Sequence, residues 1–151
     1  MVRYKNRYLV VQLNILENND THLKITNKDL QLSVLNVLKT LHGDFGVGAI
    51  QTCFKVHYCN VTNKIIIFKT RHGPHTLLSS AIPFVNKLQD GIKIKLSTIY
   101  TGASIFQCHK FIKNFQNNLV RQVSDKINES TAEKMLSLSG VLKFKKTQLV
   151  S

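Results

Sequence analysis

Residues 8–15 alternate strictly. Leu9, Val11, Leu13 and Ile15 fall at every second position, with Tyr8, Val10, Gln12 and Asn14 between them. A period of two places one set on one face of an extended chain, so a strand with one strongly apolar face is predicted here. The period then changes. Leu30, Val34, Val37, Leu38 and Leu41 recur at helical spacing, which predicts a first helix that starts near Lys28 and is capped by Thr26 or Asn27, with Asp29 in its first turn. His42-Gly43 ends that helix, and Gly43-Asp44-Phe45-Gly46-Val47-Gly48 reads as a tight turn. Phe45 in such a turn either plugs the core, the commoner case, or is an exposed anchor for a partner.

Alternation returns over residues 50–59. Ile50, Thr52, Phe54, Val56 and Tyr58 face one way, and Gln51, Cys53, Lys55, His57 and Cys59 the other. Asn60-Val61-Thr62-Asn63 is a turn, so a third strand over residues 64–71 folds back as a hairpin. Its Ile65-Ile66-Ile67-Phe68 run is apolar on both faces, as suits a strand inside a sheet. After Arg71-His72-Gly73-Pro74, a second helix is predicted over residues 75–88, kinked at Pro83. Asp90-Gly91 turns the chain into a fourth strand over residues 92–100. A third helix opens at Thr101-Gly102-Ala103-Ser104, carries Ile105, Cys108, Ile112, Phe115 and Leu119 on one seam, and runs to about Val123.

The resulting order, β-α-β-β-α-β with an added C-terminal helix, is the split β-α-β pattern of an α+β, ferredoxin-like sandwich. In that arrangement the first and third strands are central and the first two helices cover one face. Tyr8, Val10 and Gln12 then face the other way, together with Lys55 and His57 and with Lys93 and Lys95. The domain is expected over residues 1–124. Residues 125–151 read as a basic C-terminal tail, weakly structured or holding a short helix.

Charge narrows the partner. The chain has 151 residues, 21 basic and 8 acidic, for a net charge of +13. No acid precedes Glu17, and none lies between Asp44 and Asp90 or between Asp90 and Asp125. Such runs leave few internal partners for the cations and create a field that attracts a polyanion, nucleic acid first and an acidic membrane surface second. Arg3, Lys5 and Arg7 form a basic arm at strand spacing that feeds directly into the first strand. Cys53, Cys59 and Cys108 are an odd set with no C-x-x-C pair, which argues for a reduced intracellular compartment and against both a disulfide framework and a zinc site. No apolar stretch approaches the roughly 20 residues that span a bilayer.

Catalytic machinery is not in view. The acids are scattered, with no pair at metal or acid/base spacing. His72 and His75 flank a turn, and Cys108-His109, adjacent on a helix, point in different directions. The third strand lacks the aromatic-and-glycine pattern of an RRM, which leaves phosphate contact as the main mode of RNA binding. The candidate cations are Arg3, Lys5, Arg7, Lys55, Lys93, Lys95, Lys110 and Lys113, with Arg121 further along the third helix. The helix start at Gly102-Ala103-Ser104 is equally a phosphate site or a plain cap. Contacts of this kind suit the shape of a folded RNA.

Four motifs carry a resemblance. Met1–Leu9 (MVRYKNRYL), His42-Gly43-Asp44-Phe45-Gly46, Ala81-Ile82-Pro83-Phe84 and Gly102-x-Ser104-Ile105…Cys108-x-Lys110-Phe111 occur in one chain, in this order. In order and spacing they resemble the Pop-five protein subunit family of eukaryotic and archaeal ribonuclease P and of ribonuclease MRP, over roughly residues 1 to 120. The resemblance implies a ferredoxin-like subunit that is noncatalytic by itself. In this family the RNA of the particle is the catalyst and removes the 5′ leader of precursor tRNA with Mg²⁺, while the MRP relative processes ribosomal RNA precursors. No cofactor and no metal is then held by the chain. The implied partners are the ribonuclease P/MRP RNA, a TIM-barrel protein subunit and other subunits of the particle, with precursor tRNA met indirectly and no membrane. The implied location is the nucleus and nucleolus. Phe45, Phe84 and Phe106 are candidates for the protein partner. A basic residue often follows the isoleucine of the third-helix motif in this family; here Phe106 stands there, so Lys110 and Lys113 would carry that patch. Two other readings are a stand-alone RNA-binding adaptor and a small ferredoxin-like hydrolase, and the phosphate loop with an arginine that the hydrolase needs is missing.

Overall fold

A computed structural model describes residues 4–16 and 25–124. Its elements are β1 (Asn6–Ile15), α1 (Asn27–Gln51), β2 (Lys55–Asn60), β3 (Ile65–Arg71), α2 (His75–Ala81), a 3₁₀ turn (Ile82–Phe84), β4 (Ile94–Gly102) and α3 (Ile105–Ser124). The chain divides into two compact units, the first ending at Cys108 and the second starting at His109. Residues 1–3 of the basic arm and the whole of the expected tail, residues 125–151, lie outside the described residues.

The four strands form one antiparallel sheet in the order β2-β3-β1-β4. This is the ferredoxin-like arrangement, with β1 and β3 central as the alternation and run of isoleucines require. Leu9, Val11 and Leu13 of β1, Ile66 and Phe68 of β3, and Ile94 and Leu96 of β4 are buried in one cluster. Leu30, Val34, Leu38 and Ile50 of α1 and Leu78 and Ala81 of α2 belong to the same cluster, so both helices lie on that face. Phe54 and Phe68 meet edge-on inside it, with ring centroids 5.3 Å apart.

Local chemistry explains most boundaries. Thr26 is extended, its hydroxyl oxygen accepts from the Asp29 N–H at 3.2 Å, and its own hydrogen goes to the Asp29 carboxylate. Both groups stabilise the start of α1, the carboxylate also through the helix dipole. The hairpin between β2 and β3 turns on Asn60, whose side-chain oxygen accepts from the Asn63 N–H at 3.1 Å.

Four expectations are corrected. The helix does not end at His42-Gly43, because the residues that look like a glycine-rich turn are helical and α1 continues to Gln51. Gly43 (φ 64°, ψ −162°) interrupts it with a kink, after which Gly46 and Ile50 are buried. Burying that second piece outweighs the low helix propensity of glycine. In consequence the second strand starts at Lys55 and not at residue 50. The second helix stops at Ala81, six residues after it starts. Pro83 ends it, with Ile82–Phe84 forming a 3₁₀ turn and Val85 already extended. Residues 86–94 then make a small turn closed by the Leu88 N–H on the Ile92 carbonyl and the Ile94 N–H on the Asn86 carbonyl, both at 3.0 Å. This shifts the fourth strand to Ile94–Gly102.

Both edge strands carry an irregularity. Val10 pairs with Tyr100 and Val11 with Thr98, so Ile99 is an extra residue in β4. Val56 pairs with Phe68 and Tyr58 with Ile67, so His57 is extra in β2.

Candidate nucleic-acid interface

The face of the sheet turned away from α1 and α2 carries the opposite parity of each strand. On β3 these residues are Ile67, Lys69 and Arg71, since Ile66 and Phe68 belong to the α1–α2 core. Lys69 is paired with Tyr8 on β1 and with Lys55 on β2, and Arg71 with Asn6. Tyr8 meets the ring of His57 edge-on, at 6.0 Å between centroids. On β4, Lys95 pairs with Asn14 and Ser97 with Gln12, which puts both on this face. The three acids among the described residues, Asp29, Asp44 and Asp90, lie on α1 and in the turn before β4, and none is on a strand. The centre of this face is apolar and covered, Val10 and Ile67 being fully buried, and the cations lie around it with no carboxylate of the sheet beside them.

At one end of it, Tyr4 precedes β1 and lies against Arg71, whose guanidinium carbon is 4.1 Å from the ring centroid. That contact is a cation–π pair. Tyr4, Asn6, Thr52, Cys53, Lys55 and Lys69 line a cleft of about 300 Å³ together with Arg71.

The cations expected to contact RNA divide by position. Lys55 and Lys95 are exposed on this face. Lys93 is exposed just before β4, in the bridge it makes with Lys87. Lys110 and Lys113 are exposed on the part of α3 that belongs to the second unit. Arg3 lies outside the described residues. Lys5 is exposed, and its carbonyl accepts from the His72 N–H at 2.8 Å. Arg7 pairs with the buried Thr70, has the parity of Leu9, and donates to the Asn6 carbonyl at 3.1 Å. Arg7 thus leaves β1 on the side opposite Tyr8. It lies near His75, at the start of α2. Burial first, then His72 and the Arg7 guanidinium, hold the His75 imidazole below the usual histidine range.

Tyr4, Lys69 and Arg71 were not expected from the sequence as part of this surface. The signal for the last two was present: the alternation Ile67, Lys69, Arg71 continues past the apolar run. Tyr4 carries no such signal, because its place depends on Arg71.

The start of α3 is a cap. The Ser104 hydroxyl accepts from the Gln107 N–H and the Gln107 side-chain oxygen accepts from the Ala103 N–H, each at 3.3 Å. This variant of the capping box uses those donors internally.

Phe45, Phe84 and Phe106 are all exposed, by 79%, 59% and 75%. Phe45 is thus not a core plug. Phe84 also borders a groove of about 490 Å³, lined in part by Ser33, Asn36 and Val37 of α1 and by Lys87 and Leu88.

Nucleophile and metal chemistry find little support. Burial pushes the Cys59 and Cys108 thiols up, away from the reactive thiolate. Cys108 instead packs under Gly102, with its Sγ 3.7 Å from the Tyr8 carbonyl oxygen. Among the described residues, no group of three His, Cys, Asp or Glu could hold a metal ion, and no helix is long and apolar enough to cross a membrane.

Comparison with known proteins agrees with this fold. A chain of the cryo-EM structure of yeast ribonuclease MRP superposes with a TM-score of 0.54 at 14% identity, covering 79% of this chain and 97% of that one. The ribonuclease P/MRP protein subunit POP5 of Bos taurus is 28% identical across 94% of this chain and 87% of its own length. The human protein of that name is 27% identical across 94% and 91%, and that of Danio rerio 28% across 83% and 77%. The model of the Rpp14/Pop5 family matches residues 7–113, from β1 into α3, and the chain belongs to that family.

Proposed function

We propose that this chain is a noncatalytic protein subunit of a ribonuclease P or ribonuclease MRP particle, where it binds and stabilises the RNA that does the chemistry. The observation that carries this reading is the family match over residues 7–113, joined by relatives named as ribonuclease P/MRP subunits along nearly their full length. The role within the particle follows from charge. A sheet face with Lys55, Lys69, Arg71 and Lys95 and no carboxylate on its strands suits a phosphate backbone. Phosphate contacts fix position and orientation without reading sequence, which suits a folded RNA of defined shape. Arg3, Lys5, Arg7, Lys93, Lys110 and Lys113 add further phosphate contacts, and Mg²⁺ is a ligand of the RNA. Exposed Phe45, Phe84 and Phe106 meet other protein subunits, a TIM-barrel subunit among them. The particle acts on precursor tRNA, or on ribosomal RNA precursors in its MRP form, in the nucleus and nucleolus.

Affinity purification of the tagged chain in high salt tests this. The expected result is recovery of ribonuclease P or MRP RNA with precursor-tRNA 5′ cleavage in the eluate, and no cleavage by the purified chain alone. Recovery of neither RNA, or nuclease activity that survives stringent repurification of the chain, would overturn it.

A further inference from the structure

Lys55 and Lys69 stand directly opposite each other on adjacent strands. Like charges so placed repel and destabilise a sheet. Arg71, two residues along the same face, adds a third positive charge roughly 7 Å away along the strand. No carboxylate on any of the four strands offsets them. An anion between the two lysines would relieve this repulsion. Tyr4 borders the same cleft and is 73% exposed. One face of its ring is held by the Arg71 guanidinium. A ring fixed in this way is a stacking platform that needs little further ordering when a flat ligand arrives. At about 300 Å³ the cleft is at the lower limit of small-ligand pockets, which suits one nucleotide and not a chain segment.

We propose that this cleft receives a single unpaired nucleotide of the bound RNA, with its base stacked on the face of Tyr4 that Arg71 leaves open and its phosphate between Lys55 and Lys69. The assignment rests on the RNA-subunit reading above and deepens it. Asn6 and Thr52, which also line the cleft, supply polar groups for the edge of the base or the ribose. A paired nucleotide cannot enter, because its base is held in the helical stack. The site therefore marks a bulge, a flipped base or a strand end in the RNA.

The test uses the purified full chain and two fluorescent RNA hairpins, identical except that one carries a single-nucleotide bulge. The bulged hairpin is expected to bind more tightly. Tyr4→Ala should weaken the bulged hairpin by about 5- to 150-fold, the range for removing an aromatic platform, and leave the paired hairpin unchanged. Tyr4→Phe should restore the preference. Lys69→Gln should lower the salt slope for the bulged hairpin by about one unit. Equal binding of the two hairpins, or equal loss on both with Tyr4→Ala, overturns the nucleotide site while leaving the RNA-subunit reading in place. Failure to bind either hairpin or the particle RNA overturns both. A separate titration with AMP distinguishes the source of the nucleotide. Weak, millimolar binding with a bulge preference supports an RNA nucleotide, and micromolar AMP binding without one assigns the cleft to a free nucleotide.

Discussion

Three glycines within six residues of α1 make a sharp test of how that helix is built. Gly43 has φ 64° and ψ −162°, in a region that is essentially closed to side chains. The open space around it removes any clash from the comparison, since a Cβ there would meet nothing within 4 Å. Gly48 is equally open but has helical geometry. Replacing either with alanine reduces the freedom of the unfolded chain by the same amount, so that contribution cancels between the two variants. For Gly48→Ala, in helical geometry, that reduction is the helix-propensity gap and should stabilise by about 0.5–1 kcal/mol. Gly43→Ala instead incurs backbone strain of about 1–3 kcal/mol, which leaves a net loss. The two variants should therefore differ by the strain alone, about 1–3 kcal/mol, or roughly 2–12 °C in Tm for a chain of this size. Asparagine, which tolerates the ordinary left-handed region, should not rescue Gly43, because ψ there is far from that region. Gly46 gives the third case. A Cβ added there would stand 2.4 Å from the His42 Cβ, an atom fixed to the backbone that has little room to move. Gly46→Ala should cost about 1–3 kcal/mol as overpacking. It should also disturb the bond between His42 Nε2 and the Ser80 hydroxyl, 2.8 Å long, that ties α1 to α2. Thermal unfolding followed by circular dichroism reads all three. A Gly43→Ala variant that melts at or above Gly48→Ala would refute the kinked geometry.

Other consequences can be checked separately. Phe68 is fully buried and edge-on to Phe54, so Phe68→Ala should lose about 3–5 kcal/mol in urea unfolding; a loss below about 1.5 kcal/mol, the range of volume-conserving swaps, would mean the core is not as packed. His75 has a depressed pKa, so the folded state favours its neutral ring. Its contribution to stability is then present above the ordinary value of about 6.5 and is lost as pH falls through the lower folded value. An NMR titration should find the His75 midpoint below about 6.5 and moved upward by Arg7→Gln, and an unmoved midpoint would remove Arg7 from its surroundings. Phe45→Ser and Phe84→Ser should alter stability by no more than about 0.5 kcal/mol, as exposed positions do. Their effect should appear as loss of protein partners in a pull-down, and retention of every partner would exclude both from the interface.

The hydrophobic pattern was a reliable guide where a single period ruled. Strand β1, the hairpin of β2 and β3, and the order of elements all follow from it, because burial on one face forces alternation and short turns force neighbours. It misled where tertiary packing opposed local preference. Gly43-Asp44-Phe45-Gly46-Val47-Gly48 has the composition of a turn, yet Gly46 and Ile50 are buried and the segment is helical. Ile50, Thr52 and Phe54 continue the parity of Val56 by coincidence, since Ile50 is in the last turn of α1 and Phe54 lies between that helix and β2. Pro83 was visible, but whether a proline kinks or ends a helix depends on the path of the chain beyond it, and here the chain leaves for a turn that feeds β4. At the candidate interface, Lys55 and Lys95 were legible from alternation. Tyr4 was not, because a contact with Arg71 across two strands leaves no periodic trace.

The extra residues in β2 and β4 bear on how this chain meets other chains. His57 in β2 stands beside the Phe68–Ile67 step of β3, and these pair with Leu9 and Val10 of β1, next to the Ile99 irregularity in β4. The two bulges thus face each other across the sheet, one on each outer strand. A bulge twists a strand and breaks the regular row of N–H and C=O groups along its rim. A strand from another polypeptide adding to β2 would find only Lys55 and Val56 before the break and Tyr58–Asn60 after it. The β2 rim thus offers no run longer than three residues to strand addition. Pairing of another chain with the backbone of that rim is thereby disfavoured. The same device discourages open-ended stacking of one copy on the next.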